Sequence, residues 1–60
     1  IGKEGVTVTM LRPSGIAKID GERVDVMTDG EFVEKGVKVR VTKTRQNTVI
    51  VTPVEEQSQS

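Results

Sequence analysis

The sequence has no cysteine, histidine, tryptophan or tyrosine, and Phe32 is its single aromatic residue. Without cysteine there is no disulfide and no thiolate metal site. Without histidine the usual general base and the commonest metal ligand are gone. Nine Lys and Arg balance nine Asp and Glu, so no excess of one sign is present to hold nucleic acid or lipid by bulk electrostatics. No apolar run approaches the roughly 20 residues that a membrane helix needs, and no signal peptide is visible. The start at Ile1-Gly2, without Met, reads as a cut inside a longer polypeptide. At 60 residues the chain has room for one domain. A chain of that size buries only about 60% of its unfolded surface, so its core is small.

What is present is β-branched: 11 Val, 4 Ile and 7 Thr, over a third of the chain. Such side chains are stiff at χ1 and suit a pleated sheet. Alternation recurs between breaks. Val6, Val8 and Met10 share one face of a first strand, with Thr7 and Thr9 opposite. Arg12-Pro13-Ser14-Gly15 breaks it, because Pro cannot donate to a ladder and Gly permits positive φ. Ile16 to Ile19 forms a second strand, and Asp20-Gly21 is a type I′ hairpin signal. Val24 and Val26 alternate with Arg23 and Asp25 in a third. Glu31 to Lys35, between Gly30 and Gly36, has room for one helical turn at most. Val37, Val39 and Val41 alternate with Lys38, Arg40 and Thr42 in a fourth strand. Arg45-Gln46-Asn47 turns, with Asn47 suited to a left-handed conformation. Thr48 to Val54 is a fifth strand with both faces covered around Val49, Ile50 and Val51; Pro53 marks an edge or an end.

Five short strands in this length bury their apolar faces best by closing on themselves. The fold class is therefore all-β, a small five-stranded barrel with short turns and no full helix, either OB-like or SH3-like. The barrel is expected over residues 1–54 and a disordered polar tail over 55–60. The expected core is Val8, Met10, Ile16 or Ile19, Val24, Val26, Phe32, Val37, Val39, Val41, Val49 and Val51.

Three motifs stand in order: Leu11-Arg12-Pro13-Ser14-Gly15; the hairpin Asp20-Gly21-Glu22-Arg23-Val24-Asp25-Val26; and Gly30-Glu31-Phe32-Val33-Glu34-Lys35-Gly36-Val37-Lys38-Val39. With Gly2 and Gly5 ahead of them they resemble the C-terminal domain of the NfeD family of membrane proteins, over about Gly2 to Val54. Asp25 departs from the pattern, standing where an aromatic is often found. The resemblance implies an OB-like barrel. It also implies a soluble, non-catalytic module on a membrane protein, on the cytoplasmic face by preference. The implied partner is a stomatin- or flotillin-like membrane scaffold, and the isolated domain is expected to be monomeric. Two other readings remain open beside it: a nucleic-acid-binding OB domain, and an accessory domain of a membrane-bound ClpP-class serine protease. The glycine pattern around Phe32 also looks like half of a lipoyl or biotinyl carrier, but the Asp20-Gly21 hairpin has no lysine at its tip.

The candidate partner-binding residues are Arg12, Pro13, Ser14, Arg23, Lys38 and Arg40. Arg12 offers a bidentate donor to a partner carboxylate; alternatively its loop is only a turn, with the Ser14 hydroxyl bonded to local backbone. Ser14 as a nucleophile would need Lys18 or Lys35 as its base, an unpromising arrangement. The basic stretch Lys38, Arg40, Lys43 and Arg45 reads first as a solvated face paired with acidic neighbours, since single-strand binders add aromatic stacking platforms. The acidic residues Asp20, Glu22, Asp25, Asp29 and Glu31 lack the spacing of a calcium loop. No catalytic residue, metal or cofactor is assigned. The contact surface is expected to be small and polar, because most apolar side chains are needed inside.

Overall fold

The computed structural model describes residues 2–54; the expected tail lies outside them. Five strands follow in order: β1 (Glu4–Thr7), β2 (Ser14–Ile19), β3 (Glu22–Met27), β4 (Lys38–Arg45) and β5 (Thr48–Pro53). They close into a barrel in the order β1-β2-β3-β5-β4, with β1 pairing back onto β4. β3 runs parallel to β5 through Val26↔Val49 and Met27↔Ile50, and the other pairs are antiparallel. This is the OB-like order, and among the described residues there is no helix.

Local chemistry sets the turns. Asp20 and Gly21 both have positive φ, 55° and 79°, as a two-residue type I′ hairpin requires. In the β4–β5 hairpin the left-handed residue is Gln46, at φ 57°, and not Asn47. A register shift between Val41 and Lys43 places a bulge at Thr42. Two residues then oppose one, and the consecutive Ile50 and Val51 are both buried. Both faces of β5 are covered there, as the unbroken apolar run suggested.

The core consists of Leu11, Ala17, Ile19, Val26, Val33, Val39, Val41 and Val51, with Val24, Val37 and Val49 packed against it. Three expectations need correction. Phe32 is not a core plug: it is 74% exposed, and Val33 beside it takes the interior place. Met10 is exposed and Val8 half-buried, whereas Leu11 and Ala17, not expected inside, are core residues; of Ile16 or Ile19, it is Ile19 that joins the core. The first strand alternates as expected but faces the other way, with Thr7 inside and Val6 outside. A one-residue change of parity inverts a whole strand. Here it is decided by what the Thr7 hydroxyl is needed for.

Candidate functional site

The connection from β3 to β4 holds the sole aromatic side chain, and two buried threonines clamp its ends. At one end Thr28 donates its hydroxyl to Glu31 O and accepts from Gly30 N at 3.2 Å, while its own N–H bonds Pro13 O at 2.9 Å. At the other, Thr7 Oγ1 donates to Glu34 O at 2.7 Å and accepts from Val37 N at 2.9 Å. The two hydroxyls are on buried residues, and these part-buried bonds satisfy them while fixing the loop backbone. The middle is pinned by a reciprocal bridge: Leu11 N to Val33 O at 2.8 Å and Val33 N to Leu11 O at 3.0 Å. With Val33 turned inward, alternation turns Phe32 outward.

The same bridge brings the Arg12-Pro13 turn alongside. In antiparallel register Arg12 lies opposite Phe32. The Arg12–Pro13 peptide bond is cis, and Arg12 N bonds Ser14 O at 3.2 Å. The Ser14 carbonyl, not its hydroxyl, thus makes the local turn contact. Arg12 Nε lies 2.9 Å from the Met10 sulfur. Phe32, on the β3–β4 connection, and exposed Met10 and Arg12, on the β1–β2 connection, are therefore brought to one end of the barrel by that bridge. Two of the three, Phe32 and Met10, are exposed apolar side chains.

Ser14 leads from that end into β2. It lines an open cleft of about 490 Å³ over β2 and β3, with Ile16, Asp25, Met27 and Asn47 among its neighbours. In OB barrels this is the ligand face. The cleft contains no aromatic side chain, so it lacks the stacking platform of a single-strand binder.

The remaining sequence candidates lie on the outer face of the sheet. Arg23 pairs across β3 and β2 with Lys18, Lys18 with Val6, and Val6 with Lys38. Arg40 is spent on Glu4, Nη2 to Oε2 at 2.8 Å, and Lys38 reaches the same carboxylate at 3.9 Å. Lys43 pairs with Asp29 at 3.6 Å and Lys3 with Asp20 at 2.7 Å. The hydrogen bond from Arg40 holds the Glu4 carboxyl below its ordinary value, against the opposing effect of burial. The hydrogen bond that Lys3 donates to Asp20 raises the pKa of the Lys3 ammonium. Lys38, Arg40 and Lys43 thus pair with acidic neighbours as expected, whereas Arg45, the fourth member of the stretch, has no carboxylate within 4 Å among the described residues.

The Leu11–Val33 bridge brings the candidates Arg12 and Pro13 to the same end as Phe32 and Met10, and β2 sets Lys18 opposite the candidate Arg23; Phe32, Met10 and Lys18 were not among the sequence candidates. On an extended segment adjacent residues face opposite sides, so only one of Phe32 and Val33 turns inward, and the Leu11 bridge decides which.

The closed strand order defines an OB-like barrel, with the clamped, aromatic-tipped loop at one end. The chain belongs to the NfeD family: the family model described as the NfeD-like C-terminal, partner-binding domain matches residues 1–53. It is 49% identical over 51 residues to membrane protein NfeD1b of Bacillus subtilis (strain 168), a match covering 85% of this chain and 12% of that protein. The chain therefore spans about an eighth of that relative's length. Its fold matches the C-terminal domain of stomatin operon partner protein 1510-C from Pyrococcus horikoshii, with a TM-score of 0.86 and 35% identity over 93% of this chain and 89% of that one.

Proposed function

We propose that this barrel is a non-catalytic contact module that docks its parent membrane protein onto a stomatin- or flotillin-type scaffold. The observation that carries it is the position of Phe32. A small domain short of apolar side chains places its one aromatic residue 74% exposed, on a loop fixed at both ends and in the middle. Aromatic residues, Met and Arg are enriched at protein contacts, and a preorganised knob loses little entropy on docking. The partner class is supported by the family's partner-binding role and by the stomatin operon partner to which the fold is similar. Arg12, with its guanidinium free of any carboxylate among the described residues, supplies a polar anchor beside Phe32. Pro13 completes this end, and Ser14 leads from it into the β2–β3 cleft. The cleft's lack of an aromatic disfavours the nucleic-acid reading, and the absence of histidine disfavours an active site. Attachment to the same bilayer raises the effective concentration, so a weak contact suffices.

Calorimetric titration of the 60-residue chain with a soluble fragment of such a scaffold tests this. Micromolar or weaker binding that is lost in Phe32→Ser, with the fold retained, is expected. No heat at millimolar fragment contradicts the scaffold reading.

A further inference from the structure

The barrel assembles residues 6, 18, 23 and 38, scattered in the sequence, into one row across four adjacent strands. The register is continuous: Lys38 on β4 faces Val6 on β1, Val6 faces Lys18 on β2, and Lys18 faces Arg23 on β3. All four side chains are exposed. Two features of this row are not explained by folding. Lys18 and Arg23 are like charges directly opposite each other, an arrangement that destabilises a sheet. Lys3, Lys38, Arg40 and Lys43 each have a carboxylate within 4 Å, yet neither Lys18 nor Arg23 has one among the described residues. The row also holds a bare apolar centre, for Val6 is 45% exposed. Glu4 and Asp25 flank it on the same face, but Glu4 is already shared by Arg40 and Lys38.

Resting on the reading that this barrel binds a protein partner, we infer that the row receives an acidic, extended segment of that partner. Its carboxylates fall on Lys18, Arg23 and the Lys38 end, and an apolar side chain covers Val6. Three inter-strand steps make the row roughly 14 Å long, the span of about four to five extended residues. The segment lies across the strands rather than adding to an edge, since the closed barrel leaves no long edge free. Charge complementarity fixes which segment docks and speeds its arrival more than it raises affinity.

The test uses NMR titration of the ¹⁵N-labelled 60-residue chain with a capped hexaglutamate peptide, with hexalysine as the opposite-charge probe. Hexaglutamate should shift the amides of Val6, Lys18 and Arg23, weaken as salt is added, and lose roughly tenfold or more in affinity in Lys18→Gln/Arg23→Gln. The variant Lys35→Gln/Arg45→Gln, which removes the same charge elsewhere, should bind as wild type does. Equal binding by all three chains, or shifts centred away from the row, would overturn the inference. Repeating the titration with the scaffold fragment separates the two ideas. Undiminished binding of that fragment by Lys18→Gln/Arg23→Gln removes the row and leaves the Phe32 contact standing. Hexaglutamate bound at the row while the fragment binds nowhere keeps the row and removes the scaffold.

Discussion

Leu11 and Val33 exchange two backbone hydrogen bonds across the barrel's end, and both side chains are buried, at 0% and 4% exposure. This pairing decides which residue of the Phe32-Val33 pair lies inside. Leu11→Ala should cost about 2–5 kcal/mol, the range for a large aliphatic deleted from a core. A domain this small has only about 3–5 kcal/mol in hand, so that variant should be largely unfolded. Phe32→Ala should stay within about 0.5 kcal/mol of wild type, as surface changes do. Urea unfolding of both variants checks the pair; a large loss in Phe32→Ala would return it to the core.

Thr7 shows why a polar residue can hold an interior position. Its hydroxyl satisfies Glu34 O and Val37 N, 27 and 30 residues away in sequence. Thr7→Val keeps the shape and strands both groups, which should cost about 1–3 kcal/mol. Thr7→Ser keeps the hydroxyl and should lose less. The comparison is again by chemical denaturation, and equal losses in the two variants would show that the methyl, not the hydroxyl, matters.

The parts legible in the sequence are those fixed by near neighbours. Asp20-Gly21 declares its hairpin because the turn needs two residues that accept positive φ. The β4 alternation declares its faces, and the apolar run in β5 declares its double burial. What was hidden depends on distant partners. The inward turn of Thr7 depends on a loop some thirty residues later, and the choice between Phe32 and Val33 depends on Leu11. Gly15 is visible as a motif residue, but its reason is packing: a Cβ there would lie 2.6 Å from Leu11 Cδ2, Met10 O and Thr9 Oγ1. The Lys38–Val6–Lys18–Arg23 row needs the register of four strands, which no local pattern encodes.

Lys18→Glu should stabilise the domain. It turns a like-charge cross-strand pair with Arg23 into an opposite-charge pair. Such pairs are worth about 0.2–1 kcal/mol, so the melting midpoint should rise while acidic-peptide binding falls. A lower midpoint would mean that Lys18 makes a supporting contact in the free domain.

The pH dependence follows from two surface ion pairs. Glu4 has its pKa depressed from an ordinary 4.5, first by its hydrogen bond from Arg40. Its contribution is therefore present above pH 4.5 and is lost as pH falls through the lower folded value. Lys3 has its pKa raised from 10.5, first by its hydrogen bond to Asp20. Its contribution is full below pH 10.5 and is lost as pH rises through the higher folded value. Both pairs are exposed, so both effects should be small and screened by salt. Thermal melts should show a shallow plateau between these limits, and Glu4→Gln should flatten its acid side. An acid limb unchanged in Glu4→Gln would assign that limb to other carboxylates.

The most direct measurement of partner binding through the clamped loop is an NMR titration of the ¹⁵N-labelled chain with a soluble scaffold fragment. The expected result is a set of shifted amides centred on Met10, Arg12 and residues 31–33, absent in a folded Phe32→Ser variant. Shifts confined to residues 55–60, or the same shifts in Phe32→Ser, would contradict it.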